Sequence, residues 1–294
     1  GSASFFKCSS LSRVLLYSST IKIDEEAFQE CCPNLTIKMI PSSEIIINEN
    51  AFKSCSSVKI KANLSSNFSH LFIEEIKEQL IKHPQIEGRK RAVLFTSGSF
   101  CPIQKCHLKL FDIASNFLSN HYHIDSIIGI ISPKSDLYVS LKYNNSSIPF
   151  HDRYEMVKLA CDEHNSEINQ KLKIIPDNWE GSLIDFLDFQ LVYDKIKEKI
   201  LDEFQNENLI ILFVCDGDLF IKRNCSIRKG FIGVSVPGFK IESQTNKENH
   251  VYVCNDFSND QNSILRLKKE NFELMKKMTY DSVTKYLQDA VHWV

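Results

Sequence analysis

From Arg91 to the end of the chain, short apolar runs alternate with longer amphipathic segments. The runs predicted as strands are Ala92–Ser97, Ile124–Ile131, Lys171–Ile175, Leu209–Cys215, Phe231–Val236 and His250–Cys254. The segments predicted as helices are Gln104–Leu118, Phe150–His164, Ser182–Phe204, Gln261–Lys269 and Asp281–Gln288. Strands that are apolar along their whole length are typical of a parallel sheet covered by helices on both faces. The pattern predicts an α/β fold with a Rossmann-like, doubly wound parallel sheet, which binds ligands beyond the carboxyl ends of its strands.

The first 60 residues contain an internal repeat. Segments around Phe5, Phe28 and Phe52 share the frame small–Phe–x–x–Cys, which gives a period of 23 and then 24 residues. Short β-prone runs lie between them, at Thr20–Ile23 and Glu44–Ile47. A period in the twenties with one short strand per unit is typical of a leucine-rich-repeat solenoid. The segment resembles the BspA-like type of this repeat and predicts a short, truncated array.

Three segments follow from these two patterns. We predict leucine-rich repeats over residues 1–64, a linker helix within 65–90 and an α/β domain over 91–294. The helix is expected at Leu71–His83, where apolar residues recur at helical spacing.

Composition excludes several classes of partner. The net charge is −2, so the chain has no strong positive field for nucleic acid or an acidic membrane surface. No apolar run reaches the roughly 18 residues that a membrane helix needs. The ten cysteines form no CxxC pair, which indicates reduced thiols and a cytoplasmic or nuclear protein. The oligomeric state does not follow from the sequence.

The stretch Ser97–Phe111 is the first candidate site. Gly98 directly follows a predicted strand, Pro102 sets a turn, and His107 lies near the start of the next helix. A helix N-terminus after a glycine turn can bind a phosphate, and a histidine there can stabilise its charge. From local chemistry alone, a phosphate cradle and an ordinary buried turn are equally good interpretations.

The string from Gly98 to His107 resembles the nucleotidyltransferase superfamily motif, GxFxPxHxxH in its fullest form. Gln104 replaces the first histidine. Cys101 stands where the nicotinamide mononucleotide adenylyltransferases usually have asparagine. The resemblance implies that ATP binds at Gly98, Ser99 and Phe100, with His107 as a catalytic residue.

Further segments resemble the nicotinamide/nicotinate mononucleotide adenylyltransferases in the same order along the chain. They are Gly129–Tyr138, Ile148–Ala160, Asp177–Ser182 and Val214–Phe220. The resemblance implies three mononucleotide-binding residues, Ser132, Trp179 and Glu180, with the indole stacked on the pyridine ring. It also implies two more ATP-binding residues, Gly217 and Asp218. Taken alone, Trp179 would be interpreted as a core residue.

Some family features are changed. Asp260–Arg266 resembles the last family motif weakly and implies Asn262 and Ser263 as ATP-binding residues and Arg266 as a catalytic one. Lys142 is the nearest candidate for a catalytic family lysine, with a phosphate contact and a solvated side chain as equal alternatives. Asp216 replaces a family glycine, and a carboxylate is unhelpful beside a polyphosphate unless it points away.

The implied reaction is adenylyl transfer. The phosphate of the mononucleotide attacks the α-phosphorus of ATP, giving NAD or deamido-NAD and pyrophosphate. Mg²⁺ is expected through the substrate phosphates, with no dedicated metal site in the protein. The main alternative is an inactive nucleotide-binding protein whose repeats bind a protein partner, and a third is a nucleotidyltransferase with a pyridine-free acceptor.

Overall fold

The structure is a computed structural model. It describes residues 4–16, 20–31, 34–39, 44–48, 50–51, 53, 57–61, 70–143, 148–167, 172–183, 187–205, 207–235, 240–242, 244–255 and 276–289. The chain divides into two compact units, Gly1–Asn67 and Phe68–Val294. The domain limits inferred above stay predictions.

The N-terminal unit contains five short parallel strands. They are β1 (Arg13–Leu16), β2 (Thr20–Ile23), β3 (Asn34–Met39), β4 (Glu44–Ile47) and β5 (Ser57–Lys61). One sheet has the order β1-β3-β5 and the other pairs β2 with β4. Arg13 lies opposite Thr36, 23 positions later, and Thr20 lies opposite Glu44, 24 positions later. The strand register therefore equals the period of the sequence repeat.

The turns of successive repeats are also joined to one another. The Phe5 N–H donates to the Ala27 carbonyl at 2.8 Å, and the Phe28 N–H donates to the Ala51 carbonyl at 2.8 Å. The rings of Phe5 and Phe28 stack with centroids 5.0 Å apart and planes 7° apart. The third phenylalanine of the repeat, Phe52, lies outside the described residues. Equivalent positions of neighbouring repeats thus contact each other, as expected when each unit buries its apolar side chains against the next.

The C-terminal unit is an α/β structure. Its elements are α1 (His70–Lys82), β6 (Lys90–Gly98), α2 (Lys105–Tyr122), β7 (Ile124–Pro133), α3 (Asp136–Lys142), α4 (Phe150–Asn165), β8 (Ile174–Pro176), α5 (Phe189–Glu203), β9 (Leu209–Asp216), α6 (Gly217–Lys222), β10 (Phe231–Val234), β11 (Val251–Cys254) and α7 (Asp281–Asp289). A short 3-10 turn spans Cys225–Ile227.

Six strands of this unit form one parallel sheet in the order β11-β10-β9-β6-β7-β8. The chain runs from β6 outward to β8 on one side and then crosses to β9 on the other side. The direction of winding therefore reverses between β6 and β9, and this reversal opens a crevice at the carboxyl ends of these strands. The predicted α/β fold with a Rossmann-like parallel sheet is confirmed.

Burial explains why the strands of this sheet are continuous apolar runs in the sequence. In β9 every residue before Asp216 is buried, and in β7 every residue from Ile127 to Pro133 is buried. Helix α2 packs its buried face on the sheet through Leu108, Leu110, Phe111, Ala114 and Leu118. Leu108, Phe111, Ala114 and Leu118 follow one another at intervals of three or four residues, with Leu110 beside them, so the helix presents one apolar stripe to the strands.

Several element limits differ from the sequence-based expectations. Helix α5 begins at Phe189, later than the predicted Ser182, because the Asp188 side chain accepts the Gln190 N–H at 3.0 Å and caps the helix. Strand β8 is shorter than predicted and shifted toward Pro176. Helices α3 and α6 were not predicted, since both are too short to show a period. The predicted helix Gln261–Lys269 lies outside the described residues.

Among the helices in the described part of the chain, none is both long enough and apolar enough to cross a membrane.

Candidate functional site

The β6–α2 corner, residues Gly98 to His107, lies at the crevice. Phe100 has a left-handed backbone with φ of +42°, and its ring folds back over Gly98. A Cβ on Gly98 would lie 2.7 Å from the ring. The glycine is therefore required by the packing of Phe100, in addition to any approach of a ligand to the backbone.

A buried arginine holds this corner in place. The Arg153 side chain, from α4, is completely buried. Its guanidinium donates to the Ile148 carbonyl at 2.9 Å, to the Ser99 carbonyl at 3.0 Å and to Asp136 Oδ1 at 2.9 Å. Because three separate segments meet on one planar group, the position of Ser99 is set by long-range contacts.

His107 occupies the first turn of α2 and is half-buried. The backbone N–H of Gln104 donates to its Nδ1 at 2.9 Å, and its ring meets the Phe100 ring edge-on with centroids 5.2 Å apart. Burial lowers the pKa of His107 from 6.5 to about 4, and the positive charge of Lys142 lowers it further. The imidazole is therefore neutral at pH 7, and with Nδ1 as acceptor its hydrogen lies on Nε2, which becomes a donor.

Lys142 lies at the same corner. At the end of α3, its exposed side chain donates from Nζ to Ser99 Oγ at 3.1 Å. The corner therefore combines a neutral imidazole donor, a lysine ammonium and a serine hydroxyl, which are groups suited to phosphate oxygens.

A buried ion pair lies at the ends of β6, β7 and β8. Glu180 Oε1 is 2.8 Å from Lys134 Nζ, and Ser97 Oγ donates to Glu180 Oε2. The Glu180 side chain is 1% exposed and the Lys134 side chain 8% exposed. The predicted mononucleotide residue Glu180 is thus held by two other side chains, and its charge is balanced by a lysine that sequence analysis did not identify.

The other two predicted mononucleotide residues meet at Asp177. Ser132 Oγ donates to Asp177 Oδ2 at 3.0 Å, and the backbone N–H of Trp179 donates to the same oxygen at 3.2 Å. Burial raises the pKa of Asp177 to about 6. Only 2% of Trp179 is exposed, so a pyridine ring can stack on the indole only after the groups covering it move.

The β9–α6 corner, residues Asp216 to Lys222, lies beside the first one. Asp216 Oδ1 accepts the Leu219 N–H at 2.7 Å and caps α6, and burial raises the pKa of this carboxyl. The Asp216 carboxylate is therefore engaged as the N-cap of its own helix, α6. Gly217 is buried, whereas Asp218 is exposed and pairs with Lys222 at 2.8 Å.

The basic segment after α6 is partly committed to packing. Arg223 and Arg228 lie over the ring of Phe189, at 5.5 and 5.1 Å from its centroid. Lys229 is exposed. The two guanidiniums cover an apolar ring, which is a structural use of these charges.

Three predicted site residues, Asn262, Ser263 and Arg266, lie outside the described residues. Within the described ranges, no three histidine, cysteine or carboxylate side chains come together as candidate metal ligands.

Sequence reasoning missed Lys134 and Asp177 and gave Arg153 no role. Arg153 carried a signal, because it shares a helical face with the apolar residues Met156, Val157 and Ala160. Lys134 and Asp177 come three and two positions after predicted strands, and a polar residue at that edge of a parallel sheet is a candidate site residue.

The N-terminal segment matches a known repeat family. Residues 1–88 match the model "BspA type Leucine rich repeat region" in six copies. The match extends beyond the predicted limit at residue 64.

Relatives of the chain carry one common name. "Nicotinamide/nicotinic acid mononucleotide adenylyltransferase" of Schizosaccharomyces pombe is 27% identical over 124 residues, which are 42% of this chain and 31% of that protein. The protein of the same name from Oryza sativa subsp. japonica is 24% identical over 73% of this chain and 74% of its own length. The chain thus matches less than a third of the length of the fission yeast relative.

A solved structure is also similar. It is the Plasmodium falciparum nicotinic acid mononucleotide adenylyltransferase complexed with APC, with 16% identity and a TM-score of 0.41 over 67% of this chain and 94% of that one. By sequence, the chain is similar to nicotinamide/nicotinic acid mononucleotide adenylyltransferases, and its first 88 residues match BspA-type leucine-rich repeats.

Proposed function

We propose that this chain transfers the adenylyl group of ATP to nicotinamide or nicotinate mononucleotide, releasing pyrophosphate and NAD or deamido-NAD. The observation that carries this proposal is the β6–α2 corner. It lies where the winding of the sheet reverses, and it combines neutral His107, Lys142 and Ser99 in one place. The similarity to the named adenylyltransferases supports the choice of reaction.

The chemistry needs positioning more than a nucleophilic side chain. The phosphate of the mononucleotide is itself the nucleophile, so the protein has to align two anions and stabilise the charge of the departing pyrophosphate. His107 Nε2–H and Lys142 Nζ are donors for the triphosphate oxygens. Because His107 is already neutral and fixed through Nδ1, it donates without first losing or gaining a proton.

ATP would lie along the two corners. Gly98, Ser99 and Phe100 form the first, and Gly217 and Asp218 belong to the second, with Asp218 placed for a ribose hydroxyl. Binding there would exchange the Asp218–Lys222 contact for one to the ligand, which costs little because both side chains are exposed. Asn262, Ser263 and Arg266 would add a second phosphate contact from their segment.

The mononucleotide would lie toward β7 and β8. Ser132, Trp179 and Glu180 belong to this side, and the burial of Trp179 implies that the segment opens when the pyridine ring enters. A flat indole is a suitable surface for a flat cationic ring.

Mg²⁺ fits this site as an ion carried by the substrate phosphates. The carboxylates at the second corner are already used, since Asp216 caps α6 and Asp218 pairs with Lys222. When bound, the ion would neutralise part of the triphosphate charge, and the phosphates would supply most of its ligands.

A turnover assay tests the proposal. The purified chain is given ATP, Mg²⁺ and either mononucleotide, and release of pyrophosphate is followed. We expect turnover, and we expect His107→Ala to lower kcat by about 10²- to 10³-fold, the usual loss for one donor to a developing charge.

The matched control is His121→Ala, which removes an exposed histidine from the other end of α2. It should keep the wild-type rate. Equal rates for wild type and His107→Ala, or no turnover with either mononucleotide, would contradict the proposal and leave a nucleotide-binding protein without this activity.

A further inference from the structure

The Asp177 carboxylate is satisfied on one side only. Its Oδ2 accepts from Ser132 Oγ at 3.0 Å and from the backbone N–H of Trp179 at 3.2 Å. Its Oδ1 is buried and has no hydrogen-bond partner among the described residues. Asp177 as a whole is only 1% exposed. A buried carboxylate oxygen without a donor is costly, so a donor brought by a ligand would be favoured there.

The charge of Asp177 is also not balanced by the neighbouring lysine. Lys134 Nζ lies 2.8 Å from Glu180 Oε1, and its other contact is the ring of Tyr138, with the centroid at 4.8 Å. Among these described groups, Lys134 contributes one positive charge and Glu180 and Asp177 one negative charge each. With Asp177 ionised, the cluster therefore carries a net charge of −1.

We propose that Asp177 is a specificity-determining residue that makes this site prefer the amide form of the pyridine mononucleotide to the acid form. The inference rests on the proposed function. The amide form has a cationic ring and a carboxamide whose N–H groups can donate to Asp177 Oδ1. The acid form brings a carboxylate, which at neutral pH offers acceptors alone and is repelled by the Asp177 carboxylate, whose charge Lys134 does not balance.

Asp177 and the predicted stacking residue belong to one turn. Asp177 Oδ2 accepts from the backbone N–H of Trp179, two positions along the chain. A pyridine that stacked on the indole would bind at the segment that carries this carboxyl, where low exposure keeps electrostatic effects strong.

The preference should depend on pH. The pKa of Asp177 is raised to about 6 by burial, in part offset by the Ser132 hydrogen bond and by the backbone N–H groups of Trp179 and Asn178. Other groups that face it are Glu180, whose charge raises the same pKa, and Tyr154 of α4, whose own pKa is raised by burial and then by Asp177. Above pH 6 Asp177 is ionised, and the site selects the amide form of the mononucleotide. Below pH 6 Asp177 is protonated, and the site discriminates less between the two forms.

The experiment compares kcat/KM for nicotinamide and nicotinate mononucleotide at pH 7.5. We expect wild type to favour the amide at least tenfold and Asp177→Asn to reduce that ratio at least fivefold, mainly through faster use of the acid. Asp202→Asn, an exposed carboxylate on α5, is the matched control and should leave the ratio unchanged.

The outcomes separate the two proposals. Turnover with a wild-type ratio near or below one, or with a ratio that Asp177→Asn does not change, overturns the role of Asp177 and leaves the proposed function intact. No turnover with either substrate contradicts the proposed function.

If neither substrate is turned over, calorimetric titration of wild type with each mononucleotide tests the role of Asp177. Tighter binding of the amide supports it, and equal or absent binding overturns it. If Asp177→Asn does not fold, the test uses wild type alone: the ratio of kcat/KM for the amide to kcat/KM for the acid is measured from pH 5 to 8. A ratio that does not rise with pH overturns the inference.

Discussion

The β6–α2 and β9–α6 corners end neighbouring strands, but different kinds of contact hold them. Both place a phenylalanine where only a glycine leaves room: Phe100 against Gly98, and Phe220 against Gly233, where a Cβ would lie 2.5 Å from the ring. The first corner is then fixed by Arg153, which comes from α4, more than 50 positions along the chain. The second is fixed by Asp216, which bonds to an N–H three residues later.

The difference shows which corner is organised before a ligand arrives. At the first, Ser99 is contacted by Arg153 from α4 and by Lys142 from α3, while His107 is oriented by Gln104, three residues earlier. At the second, the polar groups satisfy one another within four residues, and Asp218 and Lys222 are exposed. Loss of a contact should therefore be more damaging at the first corner.

The largest effect is expected for Arg153→Met. The substitution keeps most of the volume but leaves the carbonyls of Ile148 and Ser99 without donors and removes the partner of Asp136. We expect a loss of about 3 kcal/mol in the free energy of unfolding, measured by urea denaturation.

Arg228→Met is the matched control in the basic segment that follows the second corner. Arg228 also donates two hydrogen bonds, to the Arg223 carbonyl and to Gln190, but it is half-buried at the surface. Its loss should cost about 1 kcal/mol or less. Equal losses for the two variants would remove the distinction between the corners.

The second prediction concerns the protonation of His107. Its pKa is lowered to about 4, chiefly by burial, so its ring resonances should move with pH near 4 and not near 6.5 in an NMR titration. The unfolded chain takes up this proton first as the pH falls from about 6.5, so His107 lowers the stability of the fold progressively down to about pH 4.

His107→Gln is the comparison variant, because a glutamine side chain does not titrate between about pH 6.5 and pH 4. The variant should lose less stability than wild type between pH 7 and pH 5, as measured by thermal denaturation. A midpoint near 6.5 would show that the ring is solvated and that this corner is not preorganised.

The smallest effect is expected for Asp216→Ala. Removing the cap of α6 should cost about 1 kcal/mol in the free energy of unfolding, the usual value for a helix N-cap. Asp216→Asn keeps an oxygen for the Leu219 N–H and should remain within a few tenths of a kcal/mol of wild type. If both variants were equally destabilised, the carboxylate charge and not the cap would be its contribution.

Much of the site could be located from sequence because it follows strand ends. Gly98 was found in this way, whereas Ser132 and Gly217 were implied by the family resemblance, and the structure places all three at the carboxyl edge of the sheet. The partners of the site side chains could not be found in the same way. Lys134 and Glu180 are 46 positions apart, and nothing in the spacing indicates that they form a buried pair.

The sequence by itself determined the α/β class, the repeat period and the edge of the sheet where the site lies. Each follows from local periodicity, because a strand buried on both faces must be apolar throughout and a repeat must return in register. Tertiary structure alone decided that Arg153 holds Ser99, that Trp179 is covered and that Asp177 Oδ1 has no hydrogen-bond partner among the described residues. Burial and hydrogen-bond pairing depend on which distant segments meet, and such contacts produce no periodic pattern in the sequence.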